Sequence, residues 1–361
     1  NQPQQINNIA ETVMSPESHI CSKAKHAIEI KNLHKAYSGT RAISDLSLNV
    51  PAGSFFGLLG PNGSGKTSTL RILATLASAD SGEVLINGID ARKNPREVRK
   101  LIGYVGQEAS IDKILTGAEH LRFTSDLHHL SSRERNQRIE AIKEQLELGD
   151  WLYRRTGTYS GGMRRRLELA CALLHNPMIF ILDEPSVGLD PESRHLIWNV
   201  LKSCANAGQT ILMSTHQLDE TESLADQIAI LSEGQIIASG TPDKLKNEIG
   251  KEKLTLKIRE FSNPEEAKNA SRIIKAETLA EEVIINPCQG YALNVISKSQ
   301  GTTEKILDSI QRTGLPLFSY SKSNISLDDV YLKTTGRTLI DAEIATAGTR
   351  DLRKERKQSM R

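Results

Sequence analysis

The chain lacks an excess of either charge, since 46 lysines and arginines against 44 aspartates and glutamates leave a net charge of +2. Binding to the phosphate backbone of nucleic acid needs a clustered basic excess, so this balance argues against a nucleic-acid partner. Long apolar runs are also missing, and the longest have the length of strands rather than the roughly 20 residues of a membrane-spanning helix. The polar first 25 residues contain no apolar signal-peptide core.

Cysteine is scarce, and its spacing suggests no pairing. The four cysteines, Cys21, Cys171, Cys204 and Cys288, include no Cys-x-x-Cys pair. The sequence therefore gives no sign of a disulfide framework or a zinc site. Because Cys171 and Cys204 fall in apolar helical patterns, we expect reduced, packed thiols, as in a cytosolic protein.

The length of 361 residues suits two domains, one of about 220–240 residues and one smaller. Composition indicates a disordered lead over residues 1–25, a large domain over 26–250, a small domain over 253–335 and a polar tail over 340–361. Residues 350–361 carry six basic residues against two acidic ones. We interpret this end as solvated, with contact to anionic lipid as the alternative.

Strand and helix patterns alternate through the large domain. Wholly apolar runs such as 55–59 are typical of buried parallel strands. Expected strands cover 27–33, 44–50, 55–59, 84–86, 103–105, 178–182, 211–214, 227–231 and 235–238, and expected helices cover 66–76 and 191–204. Residues 108–175 are mostly helical by pattern and form an inserted helical subdomain. The alternation predicts an α/β fold around a parallel sheet with helical crossovers.

A glycine-rich motif lies between the expected strand 55–59 and the expected helix 66–76, and it matches G-x-x-x-x-G-K-[ST] in the confirming context. Its glycines let backbone N–H groups approach phosphate oxygens, and the helix N-terminus adds partial positive charge. Lys66 then reaches the β- and γ-phosphates, and the Thr67 hydroxyl ligates Mg²⁺. The expected ATP-binding residues are Gly60, Pro61, Asn62, Gly63, Ser64, Gly65, Lys66, Thr67 and Ser68.

A second apolar strand, 178–182, runs into two consecutive acids, Asp183 and Glu184. Buried strands rarely end in paired carboxylates unless these face a charge. We expect Asp183 to anchor Mg²⁺ through water and Glu184 to orient or deprotonate an attacking water. A helix-capping acid pair is the alternative.

The segment Tyr159-Ser160-Gly161-Gly162-Met163, about twenty residues before the paired acids, resembles the signature motif of the ABC (ATP-binding cassette) ATPases. In the family's order, Gln107 resembles the Q-loop, Gly188-Leu189-Asp190 the D-loop and His216 the switch histidine. Tyr37 resembles the aromatic residue that stacks on adenine. The resemblance covers about residues 27–245 and implies a P-loop NTPase core that binds and hydrolyses ATP.

The resemblance also implies roles for particular residues. It implies nucleotide contacts by Tyr37, Gln107, Ser160, Gly161, Gly162, Asp183, Glu184 and His216, catalytic roles for Lys66, Glu184 and His216, and a metal set of Thr67, Gln107 and Asp183. Three positions depart from the family pattern. The signature begins with Tyr159 rather than leucine and ends with Met163 rather than glutamine, and Gly106 stands where proline is common. Because the Ser-Gly-Gly centre is intact, we expect phosphate contact to survive.

The resemblance implies a homodimer with two equivalent sites. One chain holds one phosphate loop and one signature, and in ABC ATPases each ATP lies between the loop of one chain and the Ser-Gly-Gly of the other. The hydrogen-bond donors of the second chain's Ser-Gly-Gly reach the γ-phosphate only when the two chains meet. ATP binding therefore favours the closed dimer.

Segments 111–117, 159–167 and 326–337 resemble the ABC-2 export group, the daunorubicin-resistance type of ATPase. In that group the ATPase is a separate chain, paired with an integral membrane permease. The resemblance therefore implies export, and a place on the cytoplasmic face of the cell membrane, without naming the cargo.

A soluble ABC ATPase acting on ribosomes or DNA is the alternative, but such proteins typically carry two cassettes or long coiled coils. A non-hydrolysing regulatory cassette usually loses the lysine or the catalytic acid, and both stand here as Lys66 and Glu184.

The small domain, 253–335, follows the order β-α-β-β-α-β, which predicts a ferredoxin-like α+β fold. Its expected strands are 254–258, 283–285, 292–295 and 317–320, and its expected helices are 264–274 and 302–311, with a short helix at 327–332. It lacks glycine-rich loops and clustered histidines or cysteines, so we expect no chemistry there. A role in holding the dimer or tuning its closure is one hypothesis, and a self-contained appendage is the alternative.

Overall fold

The computed structural model describes residues 25–107, 110–260, 262–277, 280, 282–297, 302–312, 314 and 316–345. The expected lead and tail lie outside the described residues, apart from residue 25 and residues 340–345, and so do the side chains of Cys21 and Cys288. The chain divides into two compact units, a first of residues 1–59 and 64–236, and a second of residues 237–361 with Gly60–Gly63. The domain boundaries expected from composition stay predictions.

Strands and helices alternate along the first unit. Its strands are β1 (His26–Tyr37), β2 (Thr40–Pro51), β3 (Phe55–Leu59), β4 (Ser81–Ile86), β5 (Ile89–Asp90), β6 (Ile102–Val105), β7 (Ile179–Asp183), β8 (Thr210–Thr215) and β9 (Gln227–Ser232). Strand β10 (Gln235–Gly240) begins in this unit and continues past its last residue, Ile236. Its helices are α1 (Lys66–Leu73), α2 (Pro95–Leu101), α3 (Gly117–Leu127), α4 (Ser132–Gln145), α5 (Gly161–Leu173), α6 (Pro191–Asn206) and α7 (Leu218–Leu224). The expected strands of the large domain are all present, within a few residues of their expected ends.

Five strands form a parallel sheet at the centre of the first unit, in the order β9-β3-β8-β7-β6. Strand β3 pairs in parallel with β8 and β9, and β7 pairs in parallel with β6 and β8. Every residue of β3 and β7 is buried, as expected of strands covered on both faces. Because the strands are parallel, the residues that follow β3, β7 and β8 meet at one edge of the sheet.

A separate antiparallel sheet, in the order β2-β1-β4-β5, holds the strands expected near 27–33, 44–50 and 84–86. The expected parallel sheet therefore does not include them. The reason is the connection between β1 and β2, which is only Ser38 and Gly39, with φ of 47° and 82°. A two-residue turn in this conformation returns the chain antiparallel, whereas a parallel pair needs a crossover of a dozen or more residues.

Helices α3, α4 and α5 occupy the region expected to be a helical subdomain. Capping boxes begin α3 at Thr116 and α4 at Ser131, where each hydroxyl accepts from a main-chain N–H three residues later. The helices share an apolar cluster with one face of the parallel sheet. Tyr159, at the start of the signature, is buried in that cluster and donates its hydroxyl to the Trp151 carbonyl at 2.8 Å. A buried tyrosine thus replaces the family's leucine without leaving a polar group unpaired.

The second unit contains the expected β-α-β-β-α-β order. Its helices are α8 (Pro242–Ile249), α9 (Pro264–Glu277), α10 (Thr302–Arg312) and α11 (Leu327–Thr335), and its strands are β11 (Glu252–Lys257), β12 (Glu282–Asn286), β13 (Ala292–Ser297) and β14 (Ser319–Asn324). The strand order β12-β13-β11-β14 is antiparallel throughout, which is the ferredoxin-like arrangement. Apolar residues of α9 and α10 pack on one face of this sheet. Within the described residues, no helix is long and apolar enough to cross a bilayer.

Candidate nucleotide site

The glycine-rich loop follows β3 and runs into α1. Gly63 and Gly65 have φ of 85° and 108°, in the region that favours glycine. A Cβ atom on Gly65 would lie 2.5 Å from the Ala42 carbonyl oxygen, so a side chain is excluded there. Thr67 and Ser68 precede the first hydrogen bond of the helix, from the Thr69 N–H to the Gly65 carbonyl, and thus lie in its positively polarised first turn.

Glu184 is the centre of a cluster at the edge of the parallel sheet. Its Oε1 lies 3.5 Å from the Lys66 Nζ and 3.2 Å from the His216 Nδ1. Its Oε2 accepts a hydrogen bond of 3.3 Å from the Gln107 amide. The side chains of Lys66 and Glu184 are 4% and 5% exposed, so this pair lies out of water. The structure thus brings together four residues that the sequence places up to 150 positions apart.

The electrostatics of the cluster keep Glu184 ionised. Burial alone would raise the pKa of the Glu184 carboxyl, but the hydrogen bond from His216 and the positive charge of Lys66 together outweigh it and lower the pKa below its usual value. At neutral pH the site therefore holds a buried carboxylate beside a buried ammonium group. Phosphate oxygens reaching Lys66 would compete with Glu184 for that charge.

Asp183 lies one residue before Glu184 and is fully buried. Its Oδ1 accepts a 2.6 Å hydrogen bond from the Ser214 hydroxyl, whereas its Oδ2 has no hydrogen-bond partner among the described residues. A buried carboxylate oxygen without a partner is costly unless a cation or its water shell satisfies it. Helix α1, which carries Thr67, packs against β7, which ends at Asp183. Carboxylate and hydroxyl oxygens are the ligands that Mg²⁺ prefers, so these residues fit Mg²⁺.

Tyr37 ends β1 and is 44% exposed. The Lys35 ammonium group lies 5.2 Å from the centre of the Tyr37 ring and forms an ion pair of 2.7 Å with Asp80. A cation over an aromatic face is favourable, so the ion pair helps to fix the ring. The exposed aromatic surface is compatible with stacking on a base.

The signature residues do not join the Glu184 cluster. Ser160 caps α5 and accepts the Met163 N–H, so Met163 leaves the cap of this helix intact. A Cβ atom on Gly161 would meet nothing within 4 Å, whereas one on Gly162 would lie 2.8 Å from the Ser193 hydroxyl. Ser160 and Gly161 are exposed. The N-terminus of α5 is therefore exposed to solvent. Among the described contacts, it does not touch the phosphate loop of the same chain.

Two residues of the site carry no clear signal in the sequence. The Ser214 hydroxyl contacts both members of the acid pair, because it donates to Asp183 and accepts the Glu184 N–H at 3.1 Å. Arg165 is buried and donates to main-chain carbonyls around the acid pair. The only signal for Arg165 is its place among the three arginines that follow the signature, and that pattern does not distinguish one arginine from another.

A glycine-rich loop, a buried lysine and paired acids at the edge of a parallel sheet define a P-loop nucleoside triphosphatase. Residues 43–187 match the family described as ABC transporter. The chain is 39% identical over 315 residues to the daunorubicin/doxorubicin resistance ATP-binding protein DrrA of Streptomyces peucetius, covering 87% of this chain and 94% of that protein. The chain therefore belongs to the ABC transporter ATP-binding proteins, in the ABC-2 export group.

Two further comparisons agree. The chain is 33% identical over 319 residues to the Nod factor export ATP-binding protein I of Burkholderia orbicola (strain AU 1054), covering 87% of this chain and 98% of that protein. The dimeric, post-hydrolysis structure of the ATP-binding cassette MJ0796 bound to ADP and Pi matches with a TM-score of 0.56 and 27% identity, over 59% of this chain and 98% of that one. This chain is an ATP-binding ATPase subunit of an ABC transporter.

Proposed function

We propose that two copies of this chain hydrolyse Mg²⁺-ATP between them and drive export through a separate integral membrane permease, on the cytoplasmic face of the membrane. The observation that carries this proposal is the buried Lys66–Glu184 pair with His216 and Gln107 around it, at the edge of the parallel sheet. The drug-resistance name of one relative and the export name of another support the direction of transport.

In the proposed mechanism the chain's own residues bind the phosphates, orient the attacking water and accept its proton. Backbone N–H groups from Gly60 to Ser68 hold the phosphates, and Lys66 neutralises the β- and γ-phosphates. As Lys66 turns to the phosphates, the Glu184 carboxylate loses its nearest cation and becomes a better base for a water held also by Gln107 and His216. Tyr37 stacks on the base.

Thr67, Asp183 and Gln107 are the residues proposed to hold Mg²⁺, with Asp183 acting through water. Bound with ATP, the ion neutralises charge on the transferred phosphoryl group. The orphaned Oδ2 of Asp183 supports this assignment. Ser214, which donates to Oδ1, would hold the carboxylate in a fixed orientation toward the ion.

The exposed signature supports the homodimer. The N-terminus of α5 offers the Ser160 hydroxyl and backbone N–H groups, including that of Gly161. Among the described residues, these groups do not contact the Glu184 cluster of the same chain. Helix N-termini bind anions, so the γ-phosphate of a nucleotide held by a second copy is a fitting partner. The cassette MJ0796, solved as a dimer bound to ADP and Pi, supports the pairing of two copies.

A groove of about 780 Å³ beside the Q-loop is the proposed docking site of the permease. Its wall includes Leu76, Phe123 and Leu127, large apolar side chains that are each more than half exposed. Grouped apolar exposure of this kind indicates a binding surface, whereas isolated exposed residues do not. Gly106 and Ser110 also line the groove, so an occupant would touch the segment that carries Gln107 to Glu184.

The permease proposal predicts the effect of Phe123→Asp. A charge on the apolar wall should weaken binding to permease-containing membranes by at least about tenfold, since burying one large apolar side chain contributes about 1.5–3 kcal/mol. ATP hydrolysis by the isolated chain should stay unchanged. Co-sedimentation with vesicles that contain the membrane subunit, and ATP-driven substrate accumulation in inside-out vesicles, measure the two effects.

Tyr153→Asp is the matched control for this experiment. Tyr153 is as exposed as Phe123 and belongs to the same helical region, but it does not line the groove. Equal loss of membrane binding in both variants, or loss in neither, would contradict the assignment of the groove. Wild-type chain that hydrolyses ATP but drives no accumulation with any membrane subunit would contradict export itself.

The small domain, residues 253–335, is proposed to hold the dimer or tune its closure, without chemistry of its own. Truncation after Gly250 should leave ATP binding to a single chain nearly intact. ATPase activity should fall, and its dependence on protein concentration should steepen, because the dimer would then form less readily. Turnover against chain concentration, with circular dichroism to verify folding, measures this. A folded truncated chain with normal turnover and unchanged dimer affinity would show that the small domain has no such role.

A further inference from the structure

Arg165 makes an unusual set of contacts for a side chain outside the motifs assigned above. It lies in α5, one turn after the signature, and is buried. Its Nε donates to the Pro185 carbonyl at 2.8 Å, and its Nη2 donates to the carbonyls of Asp183 at 2.9 Å and Glu184 at 3.0 Å. One guanidinium group thus holds three consecutive carbonyls of the turn that presents the catalytic acid.

The turn requires such support because Glu184 has a φ of 48°. This left-handed conformation is unfavourable for a glutamate, and it persists only where surrounding contacts fix it. The Glu184 N–H is held by Ser214 on one side, while Arg165 holds the carbonyls on the other. The direction of the Glu184 carboxylate therefore depends on the guanidinium group.

The same guanidinium group also holds the Q-loop. Its Nη1 donates to the Gly106 carbonyl at 2.6 Å and to the Glu168 carboxylate at 3.0 Å. The other oxygen of Glu168 accepts the Ser110 N–H at 2.8 Å. The contacts at Gly106 and Ser110 lie on either side of Gln107, whose amide donates to Glu184. Arg165 and Glu168 therefore fix both the acid and the amide that contacts it.

We propose that Arg165, held in place by Glu168, is a positioning residue for ATP hydrolysis that sets the Glu184 carboxylate and the Gln107 amide relative to each other. Arg165 acts through the main chain of Asp183–Pro185 and Gly106 and does not touch the nucleotide. Because the helix that carries Arg165 begins at the signature, a shift of α5 on contact with the partner copy moves the guanidinium group and the turn it holds. This inference rests on the proposed role of Glu184 as the base.

Arg165→Lys tests the proposal, because lysine keeps the charge but cannot reach four carbonyls and a carboxylate with one planar fork. We expect kcat to fall about 10- to 100-fold, the range that follows from a small misplacement of a reacting group. The KM for ATP should stay close to wild type, since the phosphate loop is not touched. The melting temperature should fall moderately, because buried carbonyl groups lose a donor. Arg133→Lys, the same change at an exposed arginine with no hydrogen bond among the described contacts, should alter neither kcat nor KM.

Several outcomes would overturn the positioning role. Wild-type kcat in Arg165→Lys would do so, and so would a parallel loss of kcat, ATP affinity and melting temperature, which indicates a purely structural residue. Should Arg165→Lys not fold, Glu168→Gln carries the test, because it weakens the hold on Arg165 with almost no change in shape. A smaller fall in kcat at unchanged KM supports the proposal, and an unchanged kcat overturns it. Wild-type chain without ATPase activity would instead contradict the proposed function.

Discussion

Glu184→Gln should hydrolyse ATP about 10²–10⁴-fold more slowly than the wild type, the loss expected when an acid–base group is removed. The amide keeps the shape and hydrogen-bonding reach of the carboxylate but cannot accept the proton of the attacking water. ATP should bind at least as tightly as before, because Lys66 loses the carboxylate that lies 3.5 Å away and competes with the phosphates. Phosphate release under single-turnover conditions and titration with a fluorescent ATP analogue measure both effects.

The same variant should accumulate as a dimer with ATP trapped between the two copies, visible by size-exclusion chromatography. Glu140→Gln is a matched control, since Glu140 is exposed on α4 and far from the cluster in sequence. It should hydrolyse ATP at the wild-type rate. A Glu184→Gln chain that stays monomeric in ATP and turns over normally would contradict both the base and the dimer.

Lys66→Ala should weaken ATP binding by at least about 100-fold. Each hydrogen bond to a charged group contributes about 1.5–3 kcal/mol, and Lys66 is assigned to two phosphates. The change also leaves Glu184 buried without its ammonium partner, so the pKa of that carboxyl should rise toward the value that burial alone favours. Equilibrium titration with the fluorescent analogue measures the affinity.

Lys93→Ala provides the comparison for Lys66→Ala. The Lys93 side chain is 80% exposed and forms an ion pair of 3.2 Å with nearby Asp90, so its loss should leave ATP affinity unchanged. Unaltered affinity in Lys66→Ala would refute the phosphate contact. A loss of affinity that follows a loss of folded protein by circular dichroism would show instead that the buried pair serves stability.

Elements that depend only on a short stretch of sequence could be predicted from it. Strands β3 and β7 are short apolar runs, and their composition alone indicates burial on both faces. The phosphate loop has a fixed spacing of glycines because the backbone at Gly63 and Gly65 needs positive φ. The two acids at the end of a buried strand indicate a nearby charge, and the structure has the Lys66 ammonium group 3.5 Å from the Glu184 carboxylate.

Features that depend on partners distant in sequence could not be predicted. Periodicity indicates a strand but not its neighbour, so it does not reveal the antiparallel sheet of β1, β2, β4 and β5. The sequence pattern predicts the last strand at 317–320, yet main-chain pairing with β11 sets it at Ser319–Asn324, where every residue is exposed. The role of Arg165 has no counterpart in the sequence pattern because its bonds are to carbonyl groups, and these leave no trace in side-chain spacing.

Cys204 is a buried thiol already present in the chain, and it can report on opening of the fold. Cys204 lies in α6, in the same apolar cluster as Leu182, the residue before the acid pair. Burial raises the pKa of its thiol to about 12, so the reactive thiolate is scarce at neutral pH. An alkylating reagent therefore modifies Cys204 mainly when this part of the fold opens to water. The rate of alkylation measures the free energy of that opening, and its change with nucleotide measures how firmly the bound ligand closes the cassette.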